Sequence, residues 1–430
     1  MPHATALVVG TIIGASIFVQ PSEITARVPS VTGILAVWLV AGAITLCGAL
    51  VCAELASTFT RTGGVYVYLS EAYGPSTGFL WGWAMFWSMH SGIIAAIAVV
   101  FSRYAGYLVP MGPVASKAVA IGVILLLSAV NYVGVRQGSR LQTGFTAGKL
   151  VAVGLLVGLG VALGGRVEHH FVAATAPGTI APGDFIAGIA AGLFAFGGWH
   201  MVTYSAEETV SPRTTIPRAL TLGTIIVTAT YLALNAVYLY VMPLDQVAGS
   251  TRVAADLADT LLGPGGGGAV SGLVLFSAFG ALAGIVLTGP RVYLAMARDG
   301  LLFHWVGEVH PTFRTPHRAL VLQAVWASVL VATGTFRALF TRVIYTEWIF
   351  FGLLAVGLVL LRRRAGLTRG YSVWGYPVLP MLFAGAAFAV VVNEVVADPR
   401  ETLTGLGLVL AGLPVYYRWA RKGLQPKDAR

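Results

Sequence analysis

The chain has 430 residues, 57% of them hydrophobic and only 10% charged, with a formal net charge of +10 at pH 7. A water-soluble domain carries about 25% charged residues to wet its surface, so this chain cannot cover a water-facing body of its size. Soluble enzymes, nucleic-acid-binding proteins and disordered chains are excluded, and the fold class is an all-α polytopic membrane protein.

Apolar stretches bounded by Gly, Pro or charge run over 4–28, 31–58, 76–108, 114–134, 139–163, 184–210, 216–242, 268–298, 318–334, 339–361, 376–396 and 402–419. These are twelve predicted spans, each near the roughly 20 residues that cross the hydrocarbon as a helix. The first starts almost at the N-terminus with no basic lead. It continues past Pro21 without a small-residue cleavage site, so it is read as a span and not as a signal. Cys47 and Cys52 fall on different faces of the second span and imply no disulfide. The stretch 261–268, Leu-Leu-Gly-Pro-Gly-Gly-Gly-Gly, reads as a flexible loop, and no soluble domain fits anywhere. With the N-terminus inside, the inner segments hold about twice as many Lys and Arg as the outer ones. Both termini are therefore expected in the cytoplasm, the protein in the cell (inner) membrane, and the basic run Arg362 to Arg364 against anionic lipid.

The first span contains Gly10-Thr-Ile-Ile-Gly-Ala-Ser-Ile-Phe18 ahead of Pro21, and the sixth contains Gly192-Leu-Phe-Ala-Phe-Gly-Gly-Trp-His200. They open successive groups of five spans. Gly-interrupted helices at matching places in two halves point to a transporter site at mid-membrane, whereas Gly10 and Gly14 alone could serve close packing. A break exposes backbone N–H and C=O groups, each costing several kcal/mol in hydrocarbon unless satisfied. A zwitterion satisfies them well: amides of Ala15, Ser16 and Ile17 suit a carboxylate. Carbonyls around Ile12, Ile13, Phe194 and Ala195 suit an α-ammonium. The candidate substrate site is thus Ile12, Ile13, Gly14, Ala15, Ser16 and Ile17 with Phe194, Ala195, Phe196, Gly197, Trp199 and His200.

These residues carry a resemblance. The sequence resembles the amino acid–polyamine–organocation superfamily, closest to bacterial relatives of the L-type amino acid transporters. The matching stretches include the two breaks, Thr62-Gly-Gly-Val-Tyr-Val-Tyr-Leu-Ser-Glu-Ala-Tyr-Gly74, Glu207-Glu208, Pro217-Arg-Ala219, Thr288-Gly-Pro-Arg291, Ala297-Arg-Asp-Gly300 and Trp374-Gly-Tyr-Pro377. The resemblance implies a leucine-transporter-type 5+5 inverted repeat with two added C-terminal helices: 1–163, 184–361 and 376–419. It implies that Ala15 and Ser16 take the carboxylate and that Phe194 is an aromatic lid. Ala15-Ser16 stands where L-type members commonly have Ser-Gly, and Ala283 where many relatives carry a polar residue. Eukaryotic members link by a disulfide to a glycoprotein through the loop after the third span; Val109-Pro-Met-Gly-Pro113 has no Cys, so no such partner is expected.

Lys149 sits ten residues into the fifth span, about 15 Å from its inner boundary and too deep to snorkel. A lysine at that depth costs about 2.5–3.5 kcal/mol on insertion scales and should face inward with partners. By the resemblance its ammonium fills the volume where sodium-coupled cousins bind a cation, with Ser277 and the carbonyls near Ile13 as acceptors. Sodium-independent transport is expected, with proton coupling and exchange both open. His200 is expected either at the substrate or as a packing residue, and His90 as the weaker candidate of the two. Trp199 is read as pocket wall or gate, Glu207 and Glu208 as a gate near Arg213 and Arg218 or a solvated helix end, and Glu54 as snorkelling. No metal, cofactor or nucleophile–base constellation is evident. The sequence reads as a secondary transporter of small neutral amino acids by alternating access, since no carboxylate is expected near the breaks. A cationic amino acid or polyamine exchanger, or a non-transporting sensor on the same site, are the alternatives.

Overall fold

The computed structural model describes residues 1–133, 138–167, 171, 180–334, 336–364 and 366–423. Among them the chain is helical and contains no strand. Eight helices among the described residues are long and apolar enough to cross a bilayer, at 31–58, 75–108, 113–133, 143–166, 212–241, 266–298, 345–362 and 378–397. Three further apolar helices are shorter: Pro2–Ile12, Pro182–Ala195 and His317–Thr333. This is a multi-pass membrane protein.

Two of the short helices are short because the chain stops being helical in mid-course. Helix α1 (Pro2–Ile12) ends where Ile13 turns to ψ 86°, a 3₁₀ turn follows at Ser16–Phe18, and α2 (Gln20–Arg27) resumes with Pro21 in its first turn. Proline there removes only an amide that would be unpaired anyway, so it restarts the helix rather than breaking it. Between α1 and the next break lie α3 (Val31–Thr58), α4 (Val65–Tyr73), α5 (Pro75–Trp87), α6 (Met89–Leu108), α7 (Pro113–Val133) and α8 (Gly138–Leu163). Helix α9 (Pro182–Ala195) ends at Phe196, Gly198 takes the left-handed φ of +100°, and Trp199–Glu208 continues as 3₁₀ helix. Neither rod is continuous.

The remaining helices are α10 (Pro212–Val241), α11 (Leu244–Gly249), α12 (Val253–Leu262), α13 (Gly266–Arg298), α14 (His317–Thr333), α15 (Phe336–Arg362), α16 (Val378–Ala397), α17 (Pro399–Leu410) and α18 (Gly412–Gly423). Helix α10 lies along α1 and α3. Lipid tails give helices no hydrophobic reason to associate, so close approach over small residues must do it. A methyl on Gly42 would strike Thr228 at 2.5 Å, and one on Gly223 would strike Val8 at 2.6 Å.

Several spans differ from the sequence reading. The stretch 76–108 is interrupted at Ser88, and 402–419 falls on α17 and α18, which meet at Ala411. Only 263–265 of the expected loop 261–268 leaves helix, because Asp259 Oδ1 accepts from the Gly265 and Gly267 amides and caps α13.

Glu54 does not snorkel. It is 1% exposed, accepts from Arg362 Nε at 2.7 Å and Nη2 at 2.5 Å, and accepts from the Val373 amide at 2.6 Å. Nor do Glu207 and Glu208 pair with Arg213 or Arg218. Glu207 accepts from the Thr62 amide, and Glu208 binds Arg291 with two bonds of 2.9 and 3.0 Å. Removing one partner of a buried ion pair strands the other, at about 3–5 kcal/mol. Glu54→Ala should therefore lower the detergent unfolding midpoint strongly. Glu71→Ala, whose partner Arg61 is 58% exposed, should shift it by about 1 kcal/mol or less.

Candidate functional site

An α-helix pairs each carbonyl with the amide four residues on, so a break at Ile13 orphans the last carbonyls of α1. The amide of Gly14 turns back to Ile12 O at 2.7 Å, leaving Gly10 O without its helical donor. Lys149 takes it, donating from Nζ at 2.8 Å. Tyr231 of α10 donates its hydroxyl between two ends at once, 3.0 Å from Ile12 O and 3.0 Å from Ala195 O. Thr11 Oγ1 donates toward Gly198 O at 3.2 Å, and a methyl on Gly198 would lie 2.9 Å from Thr11 O. Gly198 is thus required both by its positive φ and by this approach. The two breaks touch each other.

Other backbone groups at the first break stay unpaired. Among the described residues no protein group accepts from the amides of Ala15, Ser16 or Ile17, and none donates to Ile13 O. A small cavity, with about 20 Å³ open to the centre of a water molecule, opens between the breaks. Thr11, Ile12, Gly14 and Ser16 line it from one break, and Phe194, Ala195, Gly197 and Met201 from the other. Helix α6 contributes Ile93 and Ile97, α13 contributes Ile285, and α15 contributes Glu347.

Of the residues singled out in the sequence, Ile12, Gly14, Ser16, Phe194, Ala195 and Gly197 line the cavity. Ile13, Ala15, Ile17, Phe196, Trp199 and His200 are buried beside it. Trp199 forms no wall, because its ring packs on His200, Phe351 and Phe383. His200 sits among the rings of Trp81, Trp199, Tyr204 and Phe351. Its Nε2 is 3.7 Å from Glu347 Oε1, and its Nδ1 has no partner among the described residues. His90 donates from Nε2 to Ile285 O at 2.8 Å, a satisfied packing histidine.

Two expectations need correction. Ser277 does not accept from Lys149: its hydroxyl is buried without a partner among the described residues, and the lysine reaches Gly10 O rather than a carbonyl near Ile13. The reason is geometric, since the orphaned Gly10 carbonyl is the one the break turns toward α8. The site also holds a carboxyl, contrary to the expectation that none lies near the breaks. Glu347 is 6% exposed and lines the cavity. The signal for it was present, a lone acid inside an otherwise apolar span. Tyr231 had no signal, because a tyrosine in an apolar helix is ordinary.

A multi-pass helical fold with a cavity between two helix breaks, lined mostly by apolar side chains, marks a membrane carrier. The chain belongs to the amino acid permease family, whose pattern it matches over residues 1–410. It is 35% identical over 418 residues to the serine/threonine exchanger SteT of Bacillus subtilis (strain 168), covering 96% of this chain and 94% of that one. It is 31% identical over 434 residues to the human b(0,+)-type amino acid transporter 1, covering 98% and 88%. The human Asc-type amino acid transporter 1 is 30% identical over 427 residues, covering 96% and 80%.

Tyr231→Phe strips the shared donor from two buried carbonyls, each worth about 1–3 kcal/mol when left unsatisfied. It should lower the unfolding midpoint and weaken substrate-induced thermal stabilisation, whereas Tyr417→Phe, at an exposed position, should leave both unchanged.

Proposed function

We propose that the protein is a sodium-independent exchanger of small neutral amino acids, working by alternating access in the cell (inner) membrane. The observation that carries this reading is the pair of broken helices meeting at a cavity lined by Ser16, with the amides of Ala15, Ser16 and Ile17 left without an acceptor among the described residues. Those amides suit the α-carboxylate, and the free Ile13 carbonyl suits the α-ammonium. Phe194, at the cavity wall, is the aromatic lid.

On this reading residues 1–163 and 184–361 form two inverted repeats, 376–419 supplies two added spans, and the twelve spans leave both termini in the cytoplasm. The excess of basic residues on that side supports the orientation. Exchange of small neutral substrates is supported by the similarity to the serine/threonine exchanger and to the Asc-type transporter. No disulfide-linked partner is proposed, because the segment 109–113 has no cysteine.

Lys149 supports sodium independence. Its ammonium is 1% exposed and bound to the backbone of the first break, so it holds a cation where an ion would otherwise complete the site. Glu347 favours a second reading, in which the substrate's own side chain is cationic.

Counterflow in proteoliposomes with a panel of labelled amino acids tests both. Alanine, serine and threonine should exchange against internal substrate, at equal rates in sodium and choline media; a steep sodium dependence would refute the ion-site reading. Lys149→Ala leaves Gly10 O without a donor and should lower the exchange rate at least about tenfold, the equivalent of one lost hydrogen bond to a charged group. Unchanged kinetics in that variant would remove Lys149 from the mechanism.

A further inference from the structure

Glu347 places a carboxyl in the cavity wall among apolar residues of the helices outside the breaks. It comes from α15, a helix that belongs to neither break, and it is 6% exposed. No described residue donates a hydrogen bond to it. The nearest polar group, His200 Nε2, stands 3.7 Å from Oε1, beyond hydrogen-bonding length. The other cavity side chains that come from outside the breaks, Ile93, Ile97 and Ile285, offer no donor either. With no donor to it among the described residues, this carboxyl can accept one from a guest in the cavity. In either protonation state a carboxyl keeps an acceptor oxygen.

We infer that Glu347 reads the substrate's side chain by accepting a hydrogen bond from a hydroxyl on the β-carbon, so that the carrier selects small hydroxylated amino acids. This rests on the cavity being the amino acid site proposed above. The backbone at the breaks contacts the α-carboxylate and α-ammonium that every amino acid has, and so cannot discriminate among them. The side chain is read elsewhere, by Glu347. For the small neutral substrates proposed above, the side-chain donor available to this carboxyl is a hydroxyl.

The sharpest probe is the pair threonine and valine, which have the same shape and differ by a hydroxyl for a methyl. Serine and alanine form the second pair. Unlabelled amino acids would compete against labelled alanine in counterflow by the wild-type protein, by Glu347→Gln and by Glu347→Leu. In the wild type, threonine should compete at least about tenfold better than valine, and serine better than alanine, because a site built for a hydroxyl rejects the analogue that lacks it. The ratio should shrink in Glu347→Gln, which keeps one carbonyl acceptor, and approach one in Glu347→Leu. Each ratio is internal to one protein, so poor expression of a variant does not move it. The wild-type and Glu347→Gln ratios stand alone if Glu347→Leu does not fold.

Equal competition by threonine and valine in the wild type overturns the inference, as do ratios unchanged in the variants. Stronger competition by 2,3-diaminopropionate or lysine than by serine replaces the hydroxyl with an ion pair and overturns it too. Loss of labelled-alanine counterflow in the wild type would instead refute the exchanger reading on which it rests.

Discussion

Hydrocarbon cannot hydrogen-bond a peptide group, and the site depends on that constraint. Every carbonyl or amide released by breaking a helix inside a membrane must find a partner in the protein or in a guest. Interrupting α1 and α9 at adjacent points concentrates these obligations in one place. Lys149, Tyr231 and Thr11 meet part of them, on Gly10, on Ile12 and Ala195, and on Gly198. Because those three come from α8, α10 and α1, the breaks are pinned to the bundle by their own orphaned dipoles. The amides that remain free are what a zwitterion can bind.

The same economy explains the division of labour in the cavity. On the proposed reading, backbone dipoles recognise groups that all amino acids share, and they are placed by helix geometry rather than by side-chain identity. The wall opposite is apolar apart from one carboxyl, and a single polar group in a low-dielectric pocket dominates the choice among otherwise similar guests. His200 stands behind Glu347 within an aromatic shell of Trp81, Trp199, Tyr204 and Phe351. That shell limits how far the carboxyl can move away from the cavity.

Away from the cavity, polar groups tie distant elements together. Tyr66 of α4 donates to Asp299 at 2.6 Å, just past the end of α13. Arg291 of α13 grips Glu208 at the end of the second break. Glu54 of α3 joins Arg362 at the end of α15 to the chain beyond it at Val373. Contacts of this kind have two discrete states, made and broken, and are suited to a change between closed and open arrangements. The link between Glu208 and Arg291 connects the tail of the broken helix directly to α13, which also lines the cavity through Ile285.

Composition alone determined that the chain lives in a membrane, because 10% charge cannot wet a surface. Local chemistry marked where one helix resumes and another stops: Pro21 sits in the first turn of α2, and Gly198 takes the left-handed φ just past α9, effects that are legible in a string of letters. Lys149 was legible as a residue needing a partner, since its depth follows from counting. Which partner it takes was not legible, because the choice of Gly10 O over Ser277 depends on how α8 lies against α1. Tyr231 bridging two breaks, Glu54 meeting Arg362, and Glu347 facing the substrate cavity all join residues tens to hundreds of positions apart. Those pairings were decided by helix packing, where the free energy of an unpaired polar group in hydrocarbon selects among arrangements that sequence spacing leaves equally open.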